Sequence, residues 1–308
     1  MVPRIQPRSW HRNGVFLVVK KNYNFNGGVS ILQENDFKRV VVKIGTSCLT
    51  HENGKLNYTA IEKYLRQLVD LKNMGKEVLL VTSGAIGAGI GELKLNLPCS
   101  MAEKQGMAAV GQGLLISLYN KILRQYGELG GQVLLTSSDL HVKERADNIY
   151  NTLNVLIKNG IIPIVNENDT VATDEIRFGD NDTLSARVSR LVNADLLILL
   201  TDVEGLYNKI PCESEEGLEI INKVENITPE IEDKAGCAGS IVGTGGMKTK
   251  LEAAKIVNEA GITMVIGPAY RENVISKIIE MVKKGSEYKI GTTFLPDENQ
   301  CKRKVNNN

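Results

Sequence analysis

Lys43 is the one charged residue in the apolar run Val40-Val41-Val42-Lys43-Ile44. A Lys at the end of a buried strand is costly unless an anion meets it. Its position therefore favours a role in binding negative charge over a side chain that only snorkels to water. Further along, Gly-Thr-Gly-Gly-Met-Lys-Thr-Lys at 243–250 opens a helix. Glycines let a backbone approach a ligand closely, and the N–H groups at a helix start attract phosphate oxygens. The stretch is not a P-loop: Met247 stands where that motif has Gly before its Lys, and no strand leads straight into it. Alone, it reads equally as a capped helix behind a loop. Gly-Asp-Asn-Asp at 179–182 puts two carboxylates and an amide in a turn before another helix. Capping by Asn181 or Asp182 explains part of this, but two acids beside Arg177 exceed what a cap needs. Asn-Glu-Asn-Asp at 166–169 leaves a buried strand, an exit rich in Asn and Asp that suits a polar ligand. Thr-Asp-Val-Glu-Gly-Leu-Tyr at 201–207 follows the most apolar strand, either as a ligand contact or as a turn into a hairpin.

Whole-chain properties narrow the chemistry. Thirty-seven basic and 36 acidic residues in 308 leave a net charge of +1, which gives no field for nucleic acid or an anionic membrane. Aromatics are 5%, too few for a base-stacking platform. No apolar run approaches the ~18 residues that span a bilayer. The five cysteines are odd in number, with no C-x-x-C pair, so reduced thiols in a cytosol-like compartment are expected. The three histidines are scattered, so no His/Cys metal cluster can be read, and His51 and His141 read as surface or capping residues.

The elements that would hold these residues follow from hydrophobic period. Strands are expected at 39–44, 78–81, 133–135, 161–165, 196–200, 262–266 and 292–295. Helices are expected around Ile61, Leu65 and Leu68, and at 102–126, 145–158, 182–192, 247–259 and 273–283. Apolar strands alternating with helices through short Gly-containing turns predict an α/β fold, a mostly parallel sheet covered on both faces. Ligands of such sheets gather at the carboxyl ends of strands. The polar clusters lie there: after Lys43, at Thr82-Ser83-Gly84, at 166–169 and at Thr201-Asp202. Residues 1–35 are Arg-rich with no acid before Glu34, and read as a disordered extension or an organelle-targeting segment. The polar tail 297–308 reads as disordered.

Val-Lys-Ile-Gly-Thr-Ser at 42–47, Val-Thr-Ser-Gly-Ala-Ile at 81–86, the 166–169 and 179–182 clusters, Leu200 through Tyr207 and the 243–250 loop together resemble the amino acid kinase family. The resemblance covers about residues 39–295. It implies a three-layer α-β-α sandwich and ATP-dependent phosphorylation of a carboxylate. The pair of clusters at 166–169 and 179–182 is similar to the members that phosphorylate the γ-carboxylate of L-glutamate in proline biosynthesis; N-acetylglutamate is the alternative acceptor. It also implies roles. Lys43 and Lys250 would neutralise the transferred phosphoryl group, with Asp182 holding both. Ser83, Gly84, Asp169 and Asn181 would bind glutamate. Lys43, Thr201, Asp202, Thr244, Gly245, Gly246, Met247, Lys248, Thr249 and Lys250 would bind ATP, with Mg2+ held mainly through the ATP phosphates rather than by protein ligands. The domain would span 36–296, its part before about 195 for glutamate and the remainder for ATP. The resemblance further implies a homo-oligomer, feedback by proline and a cytoplasmic location, unless residues 1–35 direct import into an organelle. Relatives often carry Ser at the position of Lys248, and many add a C-terminal PUA domain, which this chain is expected to lack. The chemistry suits the residues: a carboxylate of pKa ~4.3 is ionised at neutral pH and needs no general base, whereas positioning and cations are needed.

Overall fold

The computed structural model describes residues 37–51, 53–93, 100–172, 181–209, 217–234, 246–285 and 287–296. Both ends of the chain, Gly179, Asp180, Thr244 and Gly245 lie outside these residues, so the expectations made for them stay expectations.

Eight strands form one sheet among the described residues: β1 (Arg39–Ile44), β2 (Glu77–Val81), β3 (Gly130–Leu135), β4 (Ile162–Glu167), β5 (Leu196–Thr201), β6 (Lys223–Val224), β7 (Thr263–Pro268) and β8 (Thr292–Phe294). Their spatial order is β3-β4-β2-β1-β5-β7-β8-β6. Pairing is parallel except where β8 runs against β7. The helices are α1 (Thr46–Leu49), α2 (Tyr58–Asn73), α3 (Ala85–Leu93), α4 (Met101–Gln125), α5 (Lys143–Lys158), α6 (Asn181–Leu191), α7 (Pro229–Lys234), α8 (Met247–Asn258) and α9 (Val274–Lys284), with a 3-10 turn at Ser137–Leu140.

Alternation along β1 builds the three layers. Val40, Val42 and Ile44 face a core shared with α2, α4 and α9. Val41 faces the opposite core, filled from α5, α6 and α8. Side chains in a strand alternate with period two, so Lys43 falls on the face of Val41, under α6 and α8. The chain moves from β1 to β2, on to the edge strand β3, back to β4 between them, and then crosses to β5 on the other flank of β1. The strand order thus reverses between β1 and β5, where open α/β sheets form their ligand crevice.

The structure adds elements that hydrophobic period did not reveal: α3, α7, the short α1 and β6. It also extends β3 back to Gly130. Helix α3 is glycine-rich for a packing reason. A Cβ on Gly89 would lie 2.1 Å from the Met107 carbonyl oxygen, and one on Gly111 would lie 1.8 Å from that of Ala85. Helices α3 and α4 therefore touch backbone to backbone. Gly111→Ala is expected to destabilise the fold by about 3 kcal/mol, as overpacking of a tight contact does; a lowered urea midpoint at unchanged slope would report it. No helix among the described residues is long and apolar enough to cross a membrane.

Candidate functional site

The site lies at the carboxyl ends of β1, β2, β4 and β5. Lys43 sits between Val81 of β2 and Leu199 of β5 in the sheet register. On the face it points to, α6 and α8 pack side by side. The first turn of α6 delivers Asp182 and the first turn of α8 delivers Lys250. Lys43 Nζ donates to Asp182 Oδ1, and Lys250 Nζ lies 3.1 Å from Asp182 Oδ2. Thr249 adds a hydroxyl 3.3 Å from the same Oδ2. All three charged side chains are buried, Asp182 fully. Burial opposes the Asp182 charge, but the Lys43 and Lys250 ammonium groups and their hydrogen bonds outweigh it, holding this carboxyl well below the usual carboxylate range. Two ammonium groups braced by one carboxylate at the ends of two helices make a fixed cationic clamp.

A second, neutral cluster adjoins it. The Asn181 carboxamide nitrogen shares its two hydrogens among three acceptors, the Thr82 carbonyl oxygen at 2.6 Å, Ser83 Oγ at 2.9 Å and Asn166 Oδ1 at 2.9 Å. Thr82, Ser83, Asn166 and Asn181 are all buried. Asn181 and Asp182 therefore do more than a cap requires: Asn181 reaches the ends of β2 and β4, and Asp182 reaches Lys43 of β1 and Lys250 of α8. Gly84 turns the chain with φ +91°, a left-handed conformation that glycine adopts at little cost, before α3 begins. Asp169 is half-buried in the turn after β4, and desolvation pushes its carboxyl up to about 6.

The other assigned residues border the clamp from the β5 side. Thr201 is buried, with its hydroxyl donating 3.0 Å to exposed Asp202. The hairpin reading of this segment also holds, since Ile221 N–H donates to the Leu206 carbonyl and Asn208 N–H to that of Glu219. Gly246 caps α8, and Met247, Lys248, Thr249 and Lys250 follow in its first turn. Lys248 is exposed, Lys250 buried. The structure thus brings together Lys43, Asp182 and Lys250, and separately Ser83 and Asn181. Asn166 was visible in its cluster but missing from the assigned set. Its signal was that clustered amides at a strand exit can serve one another as well as a ligand. Cys48 is free and buried, and desolvation raises its thiol to about 11, so it packs rather than reacts. His51 and His141 are exposed, as expected.

Comparison with known proteins agrees with this arrangement. The model of the amino acid kinase family matches residues 38–268. A glutamate 5-kinase of Caldanaerobacter subterraneus is 50% identical over 262 residues, 85% of this chain and 68% of the relative. One of Clostridium acetobutylicum is 48% identical over 85% of this chain and 96% of its own. One of Clostridium tetani is 53% identical over 80% and 92%. Among solved structures, UMP kinase from Bacillus anthracis superposes with a TM-score of 0.57 at 14% identity, over 85% of this chain and 97% of its own. Carbamate kinase from Giardia lamblia bound to AMP-PNP gives 0.58 at 16%, over 85% and 99%. These two share the fold. The chain belongs to the amino acid kinase family and, within it, groups with the glutamate 5-kinases.

Proposed function

We propose that the protein transfers the γ-phosphoryl group of ATP to the γ-carboxylate of L-glutamate, forming L-glutamyl 5-phosphate, the first step of proline biosynthesis. The observation that carries this reading is the Lys43–Asp182–Lys250 clamp set at the sheet's switch point beside the Ser83–Asn181 cluster. Glutamate lies against Ser83, Gly84, Asp169 and Asn181, and its γ-carboxylate, already ionised, attacks phosphorus directly. ATP lies against Thr201, Asp202 and the start of α8, where backbone N–H groups and Lys250 receive its phosphates. Negative charge grows on the phosphoryl oxygens in the transition state, and Lys43 and Lys250 offset it without reorganising, because Asp182 already holds them. The groups facing the phosphates are cationic or N–H donors, which suits Mg2+ carried on the ATP oxygens, where it screens their charge. ATP-dependent hydroxamate formation with glutamate, N-acetylglutamate and aspartate tests the reading. Turnover with glutamate far above the other two is expected; preference for N-acetylglutamate would overturn it.

In this reading Asp169 meets the substrate ammonium. Its pKa near 6 means that it is anionic at neutral pH and neutral below. Glutamate KM is therefore expected to rise as pH falls from 7 to 5, with ATP KM changing less. Glutamate's own γ-carboxylate, pKa ~4.3, stays mostly ionised in that window. Asp169→Asn should show a raised glutamate KM without the pH dependence. A wild-type KM flat across this range would contradict the assignment.

The family likeness also supports a homo-oligomer and competition by proline. Light scattering at micromolar protein, and glutamate KM measured with millimolar proline, test these two.

A further inference from the structure

We propose that Gln112, in the middle of α4, is a positioning residue for the amino acid acceptor. It supplies the terminal acceptor of the amide cluster that ends in the Ser83 hydroxyl. This rests on the reading that Ser83 and Asn181 hold that acceptor. Asn166 Nδ2 donates to Gln112 Oε1 at 2.7 Å, and Asn166 Oδ1 accepts from Asn181 Nδ2 at 2.9 Å and from the Glu167 backbone N–H at 3.0 Å. Asn181 Nδ2 then reaches Ser83 Oγ. Each bond sets the direction of the next. Because Ser83 Oγ accepts from Asn181, its own proton is left to be given to a ligand, and an O–H donor is what a carboxylate of the acceptor requires.

Two backbone groups lock the chain in this sense. The Glu167 N–H can only donate, and the Thr82 carbonyl, which receives Asn181 at 2.6 Å, can only accept. Neither amide can flip without losing a backbone partner. Gln112 supplies the acceptor at the far end, without which a buried Asn166 N–H would stand opposite nothing. Helix α4 is held close enough for this by the glycine contact beside it, where Gly111 meets the Ala85 carbonyl. Gln105, seven residues earlier and so on nearly the same face of α4, donates 3.2 Å to the Ala172 carbonyl. The two glutamines therefore brace both ends of the 166–172 segment that carries Asp169.

The test is steady-state kinetics of the full-length enzyme with Gln112→Leu, Gln112→Glu and Ser83→Ala, alongside their melting temperatures. Gln112→Leu strands the Asn166 donor, and glutamate KM should rise about tenfold, the effect of one unpaired buried group. ATP KM should stay within about twofold of the wild-type value, because the clamp is untouched. Gln112→Glu keeps an oxygen where the bond is accepted and should recover most of the loss. Gln112→Ala serves if the Leu variant does not fold. The inference is overturned if Gln112→Leu leaves glutamate KM unchanged, if it raises both KM values equally, or if Gln112→Glu is as damaged as Gln112→Leu. An unchanged glutamate KM in Ser83→Ala would instead remove the acceptor-site reading on which the inference stands.

Discussion

Replacing Lys43 with Met is expected to lower kcat by about 100-fold or more, an effect of about 3 kcal/mol on the transition state. Met keeps much of the side-chain length and removes the charge. Glutamate KM should change far less, because Lys43 faces Asp182 on the α6–α8 side whereas Ser83 and Asn181 form the neighbouring cluster. Lys250→Met should behave alike, with added loss of ATP affinity because it stands in the first turn of α8. His141→Ala should be nearly silent, since its ring is exposed beside Arg187 and the reaction needs no base. A Lys43→Met enzyme with near-normal kcat and a greatly raised glutamate KM would make Lys43 a ground-state anchor instead.

Asp182→Asn should be damaged twice over. It leaves two buried ammonium groups facing a neutral amide, and removing one partner of a buried ion pair costs about 3–5 kcal/mol of stability. The kcat should fall on the order of 100-fold, since the lysines lose the group that aims them. The pH dependence has a definite sign. Asp182 has a folded pKa depressed below its ordinary 3.8, so its contribution is fully present above that value. It drains away as pH falls through the acid range beneath. The stability gap between wild type and Asp182→Asn should therefore be large at pH 7 and shrink below pH ~4. A gap of constant size from pH 7 to pH 3, measured by denaturant unfolding, would show that the carboxylate charge is not what holds the clamp.

Much of this site was legible because strand exits are informative. A Lys interrupting an apolar strand, an amide-rich exit at 166–169 and a polar turn before α6 each signal that something other than core packing is being served. Period-two alternation along β1 even fixes the face on which Lys43 must find its partners. What stayed hidden depends on contacts between distant segments. Helix α3 reads as a loop because glycine is a poor helix former in isolation; only its close approach to α4 at Gly89, and to the Gly54–Lys55 backbone at Gly91, explains these glycines. β6 is two residues long and exists because β8 offers it an edge. Asn181 looks like a cap until the Thr82 carbonyl is placed beside it. Gln112 gives no sequence signal at all, since a Gln within a helix is ordinary until its neighbour is a buried Asn.

In the proposed reaction the γ-carboxylate of glutamate is itself the nucleophile toward the γ-phosphorus of ATP. The most direct measurement uses glutamate carrying oxygen-18 in both γ-carboxylate positions, with ATP and hydroxylamine to trap the acyl phosphate. Hydroxylamine attacks the acyl carbon, so the bridging oxygen departs with phosphate. Inorganic phosphate containing one oxygen-18 atom, in step with hydroxamate formed, is expected. Phosphate free of the label would mean that the oxygen came from water and that no acyl phosphate was made, which would contradict the proposed reaction.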